Sequence, residues 1–270
     1  MSWRDIARKD VHDASRSRTL WLLLGLLSVL FGGYAVASAS AGDGTFAGFV
    51  TGSVGLVDGF LPILGILLGY RSISDDRTDG SLLLSLSLPQ SRREVLVGTA
   101  VGRTVTLLVP TLFGLSVAGL YAALRYGTTG AIAYPWFLFA TALYGASFVA
   151  VAVALSASVT ADRRITYGAV GGYLLLVGLW RPLSSFAVAF LHRFDTSLGT
   201  PDWALFLQFA EPGEAYARLL HAGFDIERAN RYVGDGVPAF VDWWAALVIL
   251  VGWITIPLLI GSRQLERGDL

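Results

Sequence analysis

The sequence predicts an all-α, polytopic membrane bundle of six transmembrane helices, a single transmembrane domain over residues 1–270. Three observations carry this. Hydrophobic residues make up 54% of the chain against 15% charged, mean hydropathy is +0.60, and six apolar runs each approach a bilayer-spanning length. A soluble domain carries roughly a quarter of its residues as charges. A hydrocarbon layer about 30 Å thick needs about 20 apolar residues in a helix. The runs do not alternate in sidedness as barrel strands do, so helices are the expected way to satisfy the backbone in lipid.

The first element is the lead over residues 1–19. Trp3, Ile6, Ala7, Val11 and Ala14 recur at helical spacing, with Arg4, Arg8, Asp10 and Asp13 on the other side. This pattern suits a helix lying at the membrane interface, and Ser2 with Asp5 three residues on suits its cap. The alternative is a solvated basic flank that only fixes topology. The apolar run at 20–41 follows, too long for a cleavable leader, and is read as a permanent span.

The remaining spans are expected at 47–70, 104–124, 135–159, 165–180 and 244–260. Within the second, Gly48, Gly52, Gly55, Gly59, Gly65 and Gly69 recur at or near four-residue spacing, and Gly98 with Gly102 repeats it before the third. Such rows let helices approach closely, either inside one subunit or between subunits. Asp58 is the deepest carboxylate. A charge in hydrocarbon marks function by default, but a span shifted to about 54–73 would put Asp58 at the outer headgroups in a structural role.

Between the second and third spans lies a charged connector, 71–103. Asp75, Asp76, Arg77 and Asp79 cluster before Gly80; Leu82, Leu83, Leu84, Leu86 and Leu88 then make a run too short to span; and Pro89, Ser91 and Arg92 end it. Arg92, Arg93 and Glu94 are expected to reopen a helix into the third span. The leucines are more apolar than a solvated loop requires. The longest connection, 181–243, holds Phe186, Phe190, Trp203, Phe206, Phe209 and Trp243, an aromatic content typical of the membrane interface. It is read as carrying short amphipathic helices at 183–191 and 203–220, with a re-entrant hairpin or an extension of the fifth span as the alternative.

Orientation follows from the basic residues on the connectors. With the N-terminus cytoplasmic, only Arg125, Arg181, Arg193, Arg218, Arg228 and Arg231 of the 20 lysines and arginines fall outside. Both termini are therefore expected to be cytoplasmic, in the cell membrane. Net charge is zero, so no nucleic-acid partner is implied.

Absences narrow the chemistry. With no cysteine there is neither a disulfide nor a thiolate site. The single lysine, Lys9, lies between Arg8 and Asp10, so a phosphate-binding Gly-Lys-Ser/Thr loop cannot occur. No catalytic and no metal-binding set is expected. His221, Asp225 and Glu227 fit no ligand spacing.

The run from Gly69 to Gly102 resembles the cytoplasmic loop of type-2 ABC transporter permeases of the six-helix prokaryotic kind. It carries Asp79-Gly80-Ser81-Leu82, Leu88-Pro89, Ser91-Arg92 and Gly98 to Gly102. Ser81 stands where that pattern has Thr, and Arg103 where it has Lys. Glu211-Pro212-Gly213-Glu214-Ala215-Tyr216 is similar to the family's Pro-x-x-Ala-Tyr element, and Arg263 to Leu270 to its short basic tail. The resemblance implies a non-enzymatic transport subunit, an exporter, that pairs with a second permease copy. Separate ATPase chains would bind the ATP and Mg, leaving this chain without a cofactor, and 71–103 would be the coupling element entering an ATPase groove. The alternatives from other classes are a membrane hydrolase built on Ser116 and His192, which lacks an orienting acid, and a noncatalytic membrane scaffold.

Overall fold

The computed structural model describes residues 3–41, 44–73, 91–158, 162–191, 201–233 and 237–267. All regular structure among these residues is helical. In chain order the helices are α1 (Trp3–Arg16), α2 (Arg18–Ser40), α3 (Phe46–Gly69), α4 (Arg92–Tyr126), α5 (Tyr134–Ser158), α6 (Asp162–Tyr173, a π-helical turn Leu174–Leu179, then Trp180–Leu191), α7 (Asp202–Phe209), α8 (Pro212–Leu220) and α9 (Trp243–Arg267). Six of them, α2 to α6 and α9, are long and apolar enough to cross a membrane.

Helix starts follow local chemistry. Ser17 caps α2 by accepting from the Thr19 N–H, Thr45 caps α3 by accepting from Gly48, and Ser91 with Glu94 forms a reciprocal capping box at α4. As expected, Arg92 opens the helix of the third span. At 35 residues α4 is about 52 Å long, well beyond a hydrocarbon layer.

The helices alternate in direction, giving the bundle two ends. One holds α1, the starts of α2 and α4 and the ends of α3, α5 and α9, and is called here the α1 face. The other holds the 201–241 connection and is the connection face.

α5 is the central helix. Its Tyr144, Phe148, Val149, Ala152, Val153 and Ala157 are buried. The glycine rows are used mainly inside the chain. A Cβ at Gly65 would lie 3.1 Å from Phe148 Cβ and one at Gly69 only 2.7 Å from Ala152 Cβ, so α3 meets α5 at backbone distance. Gly114 in α4 seats Leu27 of α2, and Gly261 in α9 seats Ala154 of α5. Gly55 and Gly59 meet nothing within 4 Å and share an outward face of α3 with Phe60, Ile63 and Leu67.

The fifth span runs eleven residues past its expected end at Trp180. Arg181 and Pro182 look like a stop in the sequence. The carbonyl that Pro182 would clash with in a regular α-helix belongs to Gly178, inside the π-helical turn. The wider turn thus lets the helix carry a proline and continue to Leu191. The described part of the long connection contains two short helices. α7 and α8 form a hairpin whose corner, Ala210 and Glu211, is tucked into the bundle rather than lying over it, because Trp253 Nε1 in α9 donates to Ala210 O at 2.8 Å. Trp253 lies ten residues, about 15 Å, from the connection end of its helix.

Candidate functional site

Two loci stand out, one at each end of the bundle. At the α1 face, α1 lies along the start of α4. Added Cβ atoms at Gly98 and Gly102 would collide with α1, at 2.7 Å from Ile6 Cβ and against Asp10 respectively. Their absence creates the seat, and Arg103 pairs with Asp10 at 3.4 Å beside it. Ile6 and Val11 turn partly inward with the buried Ala7, while Trp3 stays 37% exposed. The other end of this platform is α9: Arg92 Nη1 donates to Leu265 O at 2.6 Å. The start of α4 is therefore held on one side by α1 and on the other by the end of α9. Ser91 and Arg92, of the predicted coupling residues, sit here. Asp75, Asp76, Arg77, Asp79, Gly80, Leu82, Leu83, Leu84, Leu86, Leu88 and Pro89 lie outside the described residues.

The second locus surrounds Asp58, which lies twelve residues into the 24-residue α3, at mid-helix and not at its headgroup end. It is not a lone carboxylate. Arg228, on a short 3-10 turn Glu227–Tyr232, donates from Nη1 to Asp58 Oδ2 at 2.6 Å, from Nη2 to Glu211 Oε2 at 3.1 Å and from Nε to Glu214 Oε1 at 3.0 Å. Arg181 of α6 adds its Nε at 3.1 Å from the same Glu214 oxygen. Three carboxylates and two guanidiniums from α3, α6, α8 and the 3-10 turn thus meet at the corner of the tucked hairpin.

The sequence Glu-Pro-Gly-Glu builds this corner. Glu211 is the N-cap of α8, its carboxylate accepting from the Gly213 and Glu214 N–H groups at 2.8 Å each; Pro212 occupies the first helical position, where no N–H is needed. A Cβ at Gly213 would sit 2.8 Å from Glu211 Oε1 and 3.0 Å from Arg228 Nη2, so only glycine leaves the guanidinium room. Glu214 has no exposed side-chain surface and Glu211 has 4%. Burial pushes the Glu211 carboxyl up to about 7, against the pull of Arg228 and the two N–H bonds, and the neighbouring Glu214 charge adds to the rise. Burial also works against the Arg228 charge, but Asp58, Glu214 and Glu211 outweigh it and hold that guanidinium firmly protonated. Tyr144 and Tyr216 stack beneath at 4.6 Å, and the Tyr216 hydroxyl pairs with Thr141 at 2.9 Å.

Among the described residues, no group of three His, Cys, Asp or Glu is arranged to hold a metal ion. His221 Nδ1 accepts from the Ile226 N–H at 3.3 Å. Ser116 is exposed on α4, and His192 lies outside the described residues.

Residues 4–270 match the ABC-2 family transporter protein family. The chain belongs to it. As a member of the ABC-2 family it is a membrane subunit of an ABC transporter and not an enzyme. Two curated relatives are each named "Probable ABC transporter permease protein NosY". The one from Pseudomonas aeruginosa is 30% identical over 258 residues, 92% of each chain. The one from Stutzerimonas stutzeri is 28% identical over 276 residues, 97% of each chain. The resemblance read from the 69–102 and 211–216 segments is thus to the right family. What sequence reasoning missed in this ABC-2 chain is the ion network: Glu211 and Glu214 entered only as part of a motif, and Arg181 and Arg228 only as loop charges counted for orientation. The available signal was two carboxylates flanking Pro-Gly at a helix start.

Proposed function

We propose that this ABC-2 subunit forms the translocation path of an ATP-driven exporter in the cytoplasmic membrane. It would work as a pair of permease chains, both termini cytoplasmic. Separate ATPase chains, which would bind ATP and Mg, dock on its α1 face. Residues 71–103 are the coupling element in this reading. The observation that carries it is the convergence of α1, the capped start of α4 and the end of α9 on the face from which the connector leaves and returns. A helix start braced from two sides can pass a push from a docked partner into the bundle, and a free loop cannot. The family membership and the relatives' name support a permease role, and the leucines at 82–88 supply the apolar anchors such a docking needs.

The test is co-purification of the partner ATPase with Leu84→Asp, compared with Leu198→Asp in the opposite connection. Loss of the ATPase with the first and retention with the second is expected. Equal retention by both would remove the docking assignment.

A further inference from the structure

We propose that the groove between α5 and α9 binds a phospholipid of the leaflet at the α1 face, with one acyl chain lying in the groove and the phosphate held at Arg263. The inference draws on this side of the bundle alone and is independent of the docking assignment.

α5 and α9 run in the same direction and touch where Gly261 lies against Ala154. Beside that contact they leave a cavity of about 630 Å³. α9 lines it with Val248, Gly252, Ile256 and Ile260 at four-residue spacing, and α5 lines it with Val151 and Leu155. Val248, Ile256 and Ile260 stand exposed on these two spanning helices. The two polar side chains of the lining are already engaged: the Trp253 indole donates to Ala210 O, and the Ser158 hydroxyl donates to Ala154 O at 2.6 Å. The groove therefore offers an occupant no side-chain hydrogen bond, and it suits hydrocarbon.

Dimensions and charge select the occupant. From Val248 to Ile260 the helix rises about 18 Å, close to the roughly 15 Å that one leaflet contributes to a hydrocarbon layer about 30 Å thick. A partner helix about 10 Å across would need roughly twice the cavity's volume over that length, so it would rest on the rims and leave the groove unfilled. The row 248, 252, 256, 260 continues by helical spacing to Arg263 and Gln264, both exposed, one turn beyond Ile260. Arg263 pairs with no carboxylate among the described residues. A long cationic chain at a span end reaches the headgroup level, and its guanidinium offers a phosphate two parallel N–H donors. An apolar slot of one leaflet's depth that ends in a positive charge has the outline of a phospholipid.

Gly252 keeps the groove open. A Cβ there would meet only Ile256 Cδ1, at an ordinary 3.7 Å, whereas one at Gly65, Gly69 or Gly261 would press on the neighbouring helix. Gly252 is thus not a seat for another helix; the space it leaves is groove. A larger side chain at this position enters the cavity and displaces the occupant without forcing the helices apart.

Photocrosslinking tests this on the full-length chain in phosphatidylcholine nanodiscs doped with phosphatidylglycerol that carries a diazirine along one acyl chain. Adducts read by peptide mass spectrometry should concentrate on 248–260 and 151–158, well above the exposed Leu22, Leu26 and Val29 strip of α2. Gly252→Leu should bring the groove adducts down to the α2 level. Arg263→Gln, at an exposed helix end where packing is untouched, should cut them about fivefold. The α2 adducts should stay constant in both variants. The same diazirine on diacylglycerol, which has no phosphate, should label the groove weakly and ignore Arg263→Gln. Adducts spread evenly over α2 and α9 in the wild type would mean surrounding lipid only and would overturn the proposal. So would groove labelling that is indifferent to both substitutions. A wild-type groove left unlabelled while α2 is labelled would mean that protein covers it, and the lipid site would fall.

Discussion

Arg228 Nη1 donates to Asp58 Oδ2 at 2.6 Å, joining positions 170 residues apart. The pair turns a carboxylate in the middle of a spanning helix into an anchor for a connection that would otherwise lie outside the bundle. Arg228 also satisfies Glu211 and Glu214, so removing either partner of the first pair has unequal consequences.

Replacing Arg228 by Met leaves three carboxylates with only the half-exposed Arg181. Breaking a buried pair from one side costs about 3 to 5 kcal/mol, and the low end applies because Arg228 keeps partial exposure. Asp58→Asn leaves Arg228 with two carboxylates and should cost about 1 kcal/mol. Thermal unfolding in one detergent should therefore rank wild type, Asp58→Asn and Arg228→Met in falling order. A reversed order would mean that Arg228 is not the hub.

Gly98→Val puts a branched side chain where even one carbon would lie 2.7 Å from Ile6 Cβ and 2.8 Å from Trp3 O. Both neighbours belong to α1, so the strain falls there and not on the bundle. Overpacking of this kind costs about 1 to 3 kcal/mol, enough to unseat a 14-residue helix. Limited trypsin digestion should cut at Arg8 and Lys9 faster in Gly98→Val than in wild type, with the spanning helices uncut. Unchanged cleavage would show that α1 is held by something other than the glycine seat.

Much of this fold was legible because lipid imposes a simple rule: a helix long and apolar enough to cross can be read from a window of hydropathy. The fifth span shows where the rule stops. Arg181-Pro182 reads as an end, yet the π-helical turn ahead of it absorbs the proline, and nothing in the composition announces that turn. The α1 packing face was legible too, since Ile6, Ala7 and Val11 share one helical side. The ion network was not. Asp58, Arg181, Glu211, Glu214 and Arg228 come from four separate segments, and a charge pair at such separation leaves no periodic trace. Asp58 read alone looked like a carboxylate at a headgroup; paired with Arg228 it sits at mid-helix.

The cysteine-free sequence makes orientation directly testable. Gln264 and Thr128 are both exposed, the first at the α1 face and the second at the connection face. In intact spheroplasts a membrane-impermeant maleimide should label Thr128→Cys and leave Gln264→Cys unlabelled until the membrane is opened. The opposite result would invert the proposed topology and place the 71–103 connector outside.

The start of α4 offers the sharpest test of the braced platform. Ser91 Oγ accepts from the Glu94 N–H at 3.2 Å, and Glu94 Oε2 accepts from the Ser91 N–H at 3.0 Å. Ser91→Ala removes the first bond, together with the one the Ser91 hydroxyl donates to Glu94 Oε2 at 3.0 Å, and leaves the carboxylate with the backbone bond alone. Loss of an N-cap costs about 1 kcal/mol, which is small beside the packing that holds a 35-residue helix, so the melting temperature should barely move. The loss is local: amides at 92–96 should exchange about fivefold faster, in line with 1 kcal/mol of fraying. Arg92 sits in that first turn and donates to Leu265 O across 173 residues, so fraying also loosens the brace to α9. Arg92→Ala removes the brace while keeping the cap, and should raise exchange near Leu265 without matching the Ser91→Ala effect at 92–96. If docking depends on a rigid start of α4, each variant should retain less ATPase on co-purification than wild type and more than Leu84→Asp, because the leucine anchors remain. Faster exchange with wild-type ATPase retention would separate the two ideas: the cap and brace would stand as structural features, and coupling through this helix start would fall.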